Sequence, residues 1–322
     1  MGELEIIRTL EEELQTTRHA VVGFGDDVSA VKLPEGKAAV LKTDMLVGST
    51  DVPPGMTMRQ ASRKAVVSSV SDFAAKGVRP LAGLVALGLP KRFTNNDIRG
   101  IAYGLHDASR EYRFPIVGGD TNESEDLTIS IALFAVADRK QLVLRTGARS
   151  DDVLAVTGRF GDTSAALKGL LEKHLRAERL SKPLRDAVFM PRAQLELGVR
   201  LARSRVLNAS IDSSDGLAWS LHELADANHL GIKVDHVPVS RAAAEFAARY
   251  ECDAAELALF GGEEFSLVVA VNKNKLKLAR RAAQGNLIPI GSFTRKFKGV
   301  RLQRAGRKFN IPRRGWEHFK SG

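Results

Sequence analysis

Five times along this chain an apolar run delivers an aspartate into a setting of glycine, serine or threonine. The instances are GFGDDV (Asp26, Asp27), LKTDML (Asp44), SVSDFAA (Asp72), VGGDT (Asp120) and SIDSSDGL (Asp212, Asp215). Small neighbours let backbone approach a ligand closely, and the short Asp side chain holds hard cations through oxygen. Scattered single carboxylates are what a magnesium ion completed by water and substrate phosphate uses. Taken singly, each motif also reads as an ordinary turn or helix cap, the commoner origin of Asp beside Gly or Ser. Asp72 does not fit that reading. It falls inside RKAVVSSVSDFAAKG, a helical pattern of small and apolar residues in which an unpaired buried carboxylate is costly. If several of these residues converge, their mutual repulsion demands cations. The pattern as a whole predicts a metal site.

Other catalytic signatures are missing. The chain has no G-x-x-x-x-G-K-[ST] phosphate loop, and GFGDDV and IVGGDT lack the G-x-G-x-x-G spacing of a dinucleotide fold. The seven His show no H-E-x-x-H or i,i+4 pairing, which with one Cys argues against zinc. Cys252, in YECDAAEL, has no His nearby in sequence and reads as inert.

At 322 residues the chain exceeds one ordinary core and accommodates two domains. No run approaches the ~18 apolar residues of a membrane span. The opening MGELEIIRTLEEELQ is acidic and amphipathic, the pattern of a helix and not of a secretion signal. A single cysteine forms no internal disulfide, so a cytoplasmic setting is expected. The net charge of +10, from 48 Lys+Arg against 38 Asp+Glu, favours anionic partners such as nucleotides and phosphate esters. The excess gathers after Asn272. With three Tyr and two Trp there is little to stack on single-stranded nucleic acid, so that basic third reads mainly as solvated surface.

AAVLKTDML reads as a strand, Met58 to Lys76 as a helix stopped by Gly77, and Thr94 as the cap of a helix through about Tyr112. PIV then reads as a short strand before a turn GGDT, and LTISIALFAV as a long strand. In the second half VLAVTG is a strand, and helices follow Gly161 and span Arg192 to Arg205. IDSSDG opens a helix from Leu217 to about Asn228, and FSLVVAV is a strand after the turn FGGEE. Strands and helices mix in both halves, with a boundary near Gly147 to Asp152, which argues for two α/β-type domains.

The motifs GFGDDV, KTDMLV, SVSDFAAKGVRPL, PIVGGDT, RTGARSDDVLAVTGRFGDTSAAL, IDSSDGL and FGGEEFSLV stand in the order and spacing of thiamine-monophosphate kinases. The chain resembles that family from about Gly23 to Trp316. The family belongs to the superfamily of aminoimidazole ribonucleotide synthetase, selenophosphate synthetase and a hydrogenase maturation protein. The resemblance implies an N-terminal α+β domain over residues 1–148, whose sheet pairs with that of a second subunit. It implies a C-terminal α/β domain over residues 149–322, with ATP in the cleft between the two. Asp27, Thr43, Asp44, Asp72, Asp120, Asp212 and Asp215 correspond to ligands of several magnesium ions. Within that set, Thr43, Asp44 and Asp120 are expected to share one nucleotide-side ion. Gly119, Asp120, Arg145 and Ser214 correspond to nucleotide contacts; Glu263 and Trp316 correspond to positions that hold thiamine phosphate. The implied reaction converts ATP and thiamine monophosphate to ADP and thiamine diphosphate, with no protein nucleophile or base. A homodimer is implied, and neither membrane nor nucleic acid as a partner.

Three departures from the family pattern carry expectations. Lys42 replaces a serine in S-T-D, and its cation is expected to neutralise phosphate or carboxylate charge in place of part of one metal site. Asp51 replaces a substrate-contacting His. Gly262-Glu263-Glu264-Phe265 replaces G-E-D-Y. The alternatives are a relative of the same superfamily with another acceptor, and a basic nucleic-acid-binding protein. The cysteines expected of the selenium and hydrogenase relatives are missing, and the second alternative has no use for the acidic motifs.

Overall fold

The computed structural model describes residues 2–14, 19–304 and 307–316. The first half runs α1 (Glu3–Glu13), β1 (Ala20–Val22), β2 (Ser29–Lys32), β3 (Lys37–Val47), the single turn α2 (Gly48–Asp51), α3 (Met58–Lys76), β4 (Ala82–Leu89), α4 (Asn95–Tyr112), β5 (Ile116–Glu123) and β6 (Thr128–Asp138). Its strands form one sheet, ordered β1-β2-β3-β6-β4-β5, antiparallel except for the β4–β5 pair. Alternation along β3 and β6 turns Val40, Leu46, Ile129, Ile131 and Leu133 onto the helices and leaves Leu41, Thr43 and Val136 facing outward.

The second half runs β7 (Val153–Val156), α5 (Asp162–Leu167), α6 (Lys182–Phe189), α7 (Leu195–Arg203), β8 (Leu207–Asp212), α8 (Leu217–Ala227), β9 (Gly231–Val234), α9 (Arg241–Tyr250), α10 (Ala254–Phe260), β10 (Leu267–Val271), α11 (Leu276–Ala282), β11 (Ile288–Thr294), β12 (Gly299–Arg304) and β13 (Arg307–Asn310). The seven strands make a mixed sheet, ordered β13-β12-β9-β11-β7-β10-β8. Every residue of β10 is buried. Leu267, Val269 and Val271 enter the core shared with α3 and α7, whereas Val268 and Ala270 enter a second core beneath α8. A strand covered on both faces is an unbroken apolar run, as LVVAV is.

α3 is the element on which both sheets rest. Thr57 and Gln60 close its N-terminus with a capping box, and Gly77, in the left-handed region at φ 70°, ends it. Between them nearly every residue from Ala61 to Lys76 is buried. The helix packs against α4, β3 and β6 in the first half, and against α7 and β8 in the second. A helix enclosed on all sides presents no solvated face, so the polar side chains it carries must find their partners inside the protein.

Two expected boundaries shift. GGDT is not a turn. β5 continues through it to Glu123 because parallel pairing with β4 runs on from Gly83 to Leu89. The strands pass so closely that a Cβ on Gly119 would lie 1.7 Å from the Val85 carbonyl oxygen. α7 begins at Leu195 instead of Arg192; just ahead of it the Ala193 N–H is donated to the Tyr112 hydroxyl at 2.9 Å.

α7 meets α3 through Gly198, where an added Cβ would stand 2.0 Å from the carbonyl oxygen of Ala74. Gly198→Ala should therefore force the two helices apart and cost about 1–3 kcal/mol, read as a lower melting temperature.

Candidate active site

On α3, Lys64, Ser68, Asp72 and Lys76 recur every four residues and share one slowly drifting face of the helix. Each meets a carboxylate, or is one. Lys76, fully buried, forms ion pairs with Asp26 at 2.6 Å and Asp27 at 2.8 Å. It also donates to the Ser210 carbonyl of β8 at 2.8 Å. Asp72 pairs with Lys42 of β3 at 2.8 Å. The Ser68 hydroxyl donates to Asp44, and Ser71 beside the stripe donates to Asp212 at 2.7 Å. Arg145, entering from the segment between the sheets, donates from Nε to Asp27 at 2.6 Å and reaches Glu223 at 3.2 Å.

One oxygen from each of Asp27, Asp72 and Asp212 lies within 4.8 Å of the others, and all three residues are buried. Their protonation preferences diverge. Burial alone would raise the Asp27 carboxyl, but Lys76 and Arg145 hold it below the usual carboxylate range. Burial drives Asp72 well above that range, with Lys42 opposing and the charges of Asp212, Asp27 and Asp44 adding to the rise. Asp212 is pushed up to about 6, first by burial and then by the charge of Asp27. The Lys42 ammonium, which burial disfavours, is held above its ordinary range by Asp72 and Asp44. Two of the three converging carboxyls are thus short of positive charge. Their all-oxygen donor set fits a hard divalent cation, which would remove the repulsion.

The cluster borders a cavity of about 440 Å³ lined from both halves of the chain. Asp44, Asp72, Arg145 and Asp212 line its acidic part, joined by Ser214 and Asp215 from the turn that opens α8. Asp51, Lys64, Glu263 and Trp316 line the remainder. Asp51 also accepts the Val47 N–H at 2.7 Å, which ties its side chain to the end of β3. The Trp316 N–H donates to the Asp215 carbonyl at 3.0 Å, while Arg313 stacks over Trp219, so the last described residues fold across the cavity rim.

Thr43, Gly119 and Asp120 stand apart from this cavity. Neighbours on a strand leave opposite faces, so Thr43 points outward, its Oγ1 3.3 Å from Ser130 Oγ, whereas Lys42 and Asp44 point inward. Asp120 pairs through Ala86 with Ser130 and shares that outer face. β5 lies three strand spacings from β3, about 14 Å. One chain therefore does not gather Thr43, Asp44 and Asp120 around a single ion. Conversely, Lys64, Ser68, Ser71, Lys76 and Glu223 entered no sequence expectation. The signal for three of them was the four-residue polar spacing on α3, legible once Asp72 was suspected.

Glu264 has a different task. Its Oε1 accepts the N–H groups of Gly161 at 2.7 Å and Thr163 at 3.3 Å, tying the turn before β10 to the start of α5. Glu263 and Phe265 on either side have φ of 61° and 49°, left-handed values that the tie helps to hold. Burial pushes the Glu264 carboxyl up to about 8, against the pull of the Gly161 N–H and with the charge of Asp162 adding to the rise.

Comparison with known proteins shows the family and the fold. The models for the N-terminal and C-terminal domains of AIR synthase related proteins match residues 25–137 and 149–301. The thiamine-monophosphate kinase of Nitrosopumilus maritimus is 34% identical, covering 99% of each chain. That of Pyrococcus abyssi is also 34% identical, covering 100% of this chain and 97% of the other. The chain belongs to the thiamine-monophosphate kinase family. Among solved structures, AaThiL complexed with AMPPCP and TMP superposes with a TM-score of 0.86 at 26% identity, covering 99% of this chain and 97% of that one. The thiamine monophosphate kinase of Aquifex aeolicus gives 0.80 at 26% identity, covering 95% and 98%.

Two outcomes follow for the residues in which this family member departs from the sequence pattern. Lys42→Ser should lower the melting temperature of chelator-treated protein, and added magnesium should restore it. The loss should be smaller than the ~3–5 kcal/mol of a fully buried pair, since Asp72 can take up a proton. For Glu264, folding raises the carboxyl from 4.5 to about 8, so the folded chain binds more protons than the unfolded one across that window. Its contribution to stability is present below about 4.5 and is lost as pH rises towards about 8. Glu264→Gln, which has no proton to lose, should flatten the fall in melting temperature over that interval.

Proposed function

We propose that the protein is a magnesium-dependent thiamine-monophosphate kinase, which moves the terminal phosphoryl group of ATP onto thiamine monophosphate to give thiamine diphosphate and ADP. The observation that carries this reading is the buried Asp27–Asp72–Asp212 centre beside a cavity that also holds Glu263 and Trp316. Full-length relatives are thiamine-monophosphate kinases, and the AaThiL neighbour holds an ATP analogue together with TMP.

In this reading Asp27, Asp72 and Asp212 hold magnesium, with Asp44 and Asp215 at its margin. Magnesium supplies charge neutralisation between donor and acceptor phosphates. The chain's own work is positioning. Lys76 and Arg145 fix Asp27, Ser71 orients Asp212 and Ser68 orients Asp44, the kind of outer support that sets ligand direction. Arg145 and Ser214 face the nucleotide. Glu263, Trp316 and Asp51 face the acceptor, with the Trp316 indole stacking on its ring. The acceptor atom is already a phosphate oxygen, so the reaction asks for no protein base and no nucleophile.

A homodimer through the outer face of the first sheet belongs to the same reading. Leu41, Leu84 and Val136 lie exposed on that face, and pairing there would bring Thr43 and Asp120 to the subunit boundary. A cytoplasmic location accords with the single free cysteine and with the lack, among the described residues, of any helix long and apolar enough to cross a membrane.

Purified protein incubated with ATP, magnesium and thiamine monophosphate should yield thiamine diphosphate, detected by chromatography. Asp72→Asn should reduce turnover by about two orders of magnitude, ~2.7 kcal/mol of lost transition-state stabilisation. Full turnover in that variant would refute the carboxylate centre; absence of product from the wild type, with ATP still bound, would assign the cavity to another acceptor.

A further inference from the structure

The cavity contains a cation that phosphoryl transfer has not yet used. Lys64 lies two turns before Asp72 on α3, about 12 Å away along the helix axis. Its side chain is only 6% exposed. The ammonium forms an ion pair with Glu263 and donates to the Asp51 carbonyl at 2.8 Å. All three residues line the cavity. Glu263 comes from the opposite wall, in the turn before β10. Its backbone is held at φ 61°, with its N–H donated to the Ser214 carbonyl at 2.5 Å. A left-handed non-glycine residue costs of order 1 kcal/mol and persists only where its surroundings impose it. Here the conformation aims a carboxylate, 28% exposed, across the cavity at Lys64.

An ion pair in a ligand cavity is weak evidence for stability, because desolvating both charges offsets most of their attraction. Its chemistry matches a ligand with the opposite pair of charges. The proposed acceptor has a cationic thiazolium ring and, a few bonds away, an anionic phosphate monoester. Resting on that assignment, we propose that Lys64 and Glu263 form an exchangeable ion pair that selects the phosphorylated acceptor: on binding they part, Lys64 taking the acceptor's phosphate and Glu263 the positive ring.

The exchange leaves every charge with a partner both before and after binding, so neither state pays for a buried unpaired ion. It also supplies discrimination. Unphosphorylated thiamine engages Glu263 with its ring but strips Lys64 of its carboxylate and offers nothing in return. That stranded ammonium penalises the wrong ligand, the usual route by which polar sites reject an analogue lacking a charged group. With Ser68 and Asp72 following on the same helix face, the cavity wall passes from the phosphate-receiving cation to the acidic centre. Lys64 is thus a specificity-determining residue for the acceptor, and it makes no demand on the nucleotide.

Isothermal titration calorimetry on the full chain tests this with two probes, thiamine monophosphate and thiamine, against the wild type, Lys64→Met and Lys64→Arg. Wild type should prefer the monophosphate. Lys64→Met should lose about tenfold or more in affinity for the monophosphate while holding or gaining affinity for thiamine, because Glu263 is no longer masked. Lys64→Arg, which keeps the charge, should retain the preference, and ATP affinity should be unchanged in both variants. Equal weakening of both ligands would mean a merely structural pair and would overturn the inference, as would unchanged monophosphate binding in Lys64→Met. A wild type that turns over thiamine monophosphate while either of those results holds loses only this inference; a wild type that binds neither probe loses the acceptor assignment as well.

Discussion

Carboxylates can be buried side by side only if positive charge is buried with them. Five aspartates crowd the centre of this protein: Asp26, Asp27, Asp44, Asp72 and Asp212. Three cations are built in against them, Lys42, Lys76 and Arg145. Arg145 is shared with Glu223, so the built-in cations fall short of the carboxylates they face. The raised carboxyls of Asp72 and Asp212 mark where the deficit falls. A deficit of that kind is what a hard divalent cation would relieve.

Lys76 shows how the charge constraint becomes architecture. Its ammonium meets Asp26 and Asp27 from the loop before β2 and the Ser210 carbonyl of β8, groups from opposite halves of the chain. A fully buried ammonium has no water to fall back on, so all three contacts must be present together. That requirement places α3 against both sheets. The close approach of Gly198 to Ala74 and the shared core of α3, α7 and β10 follow from that placement. Because the helix is rigid, the spacing between Lys64 at one part of the cavity and Asp72 at the other is set by backbone hydrogen bonds. No loop intervenes, and positional accuracy of that kind is what transfer between two anions demands.

Much of the site was legible because burying charge restricts sequence so strongly. An aspartate among Val, Ser, Phe and Ala inside a helical pattern has few explanations, and Asp72 pointed to a cation before any contact was known. The boundaries of α3 and α4 were equally plain, since Thr57, Thr94 and Gly77 act through local backbone hydrogen bonds. Lys64 and Lys76 escaped notice because long basic side chains usually mark solvated surface. Only enclosure on every side turns them into counter-ions. GGDT was misread as a turn for a related reason: its glycines answer to the neighbouring strand β4, a partner remote in sequence.

The sequence by itself determined the family, the order of the acidic motifs, and the helices and strands whose signals are local. Capping, periodicity and small-residue spacing operate over a few residues and leave their mark directly in the chain. Tertiary structure alone decided which carboxylates meet. Strand parity sends Asp44 inward and Thr43 outward from adjacent positions, and strand order removes Asp120 by about 14 Å. It also decided that Lys64 faces Glu263 across the cavity, 199 positions later in the chain. Such pairings depend on how two sheets close upon one helix, and no local rule in the sequence expresses that closure.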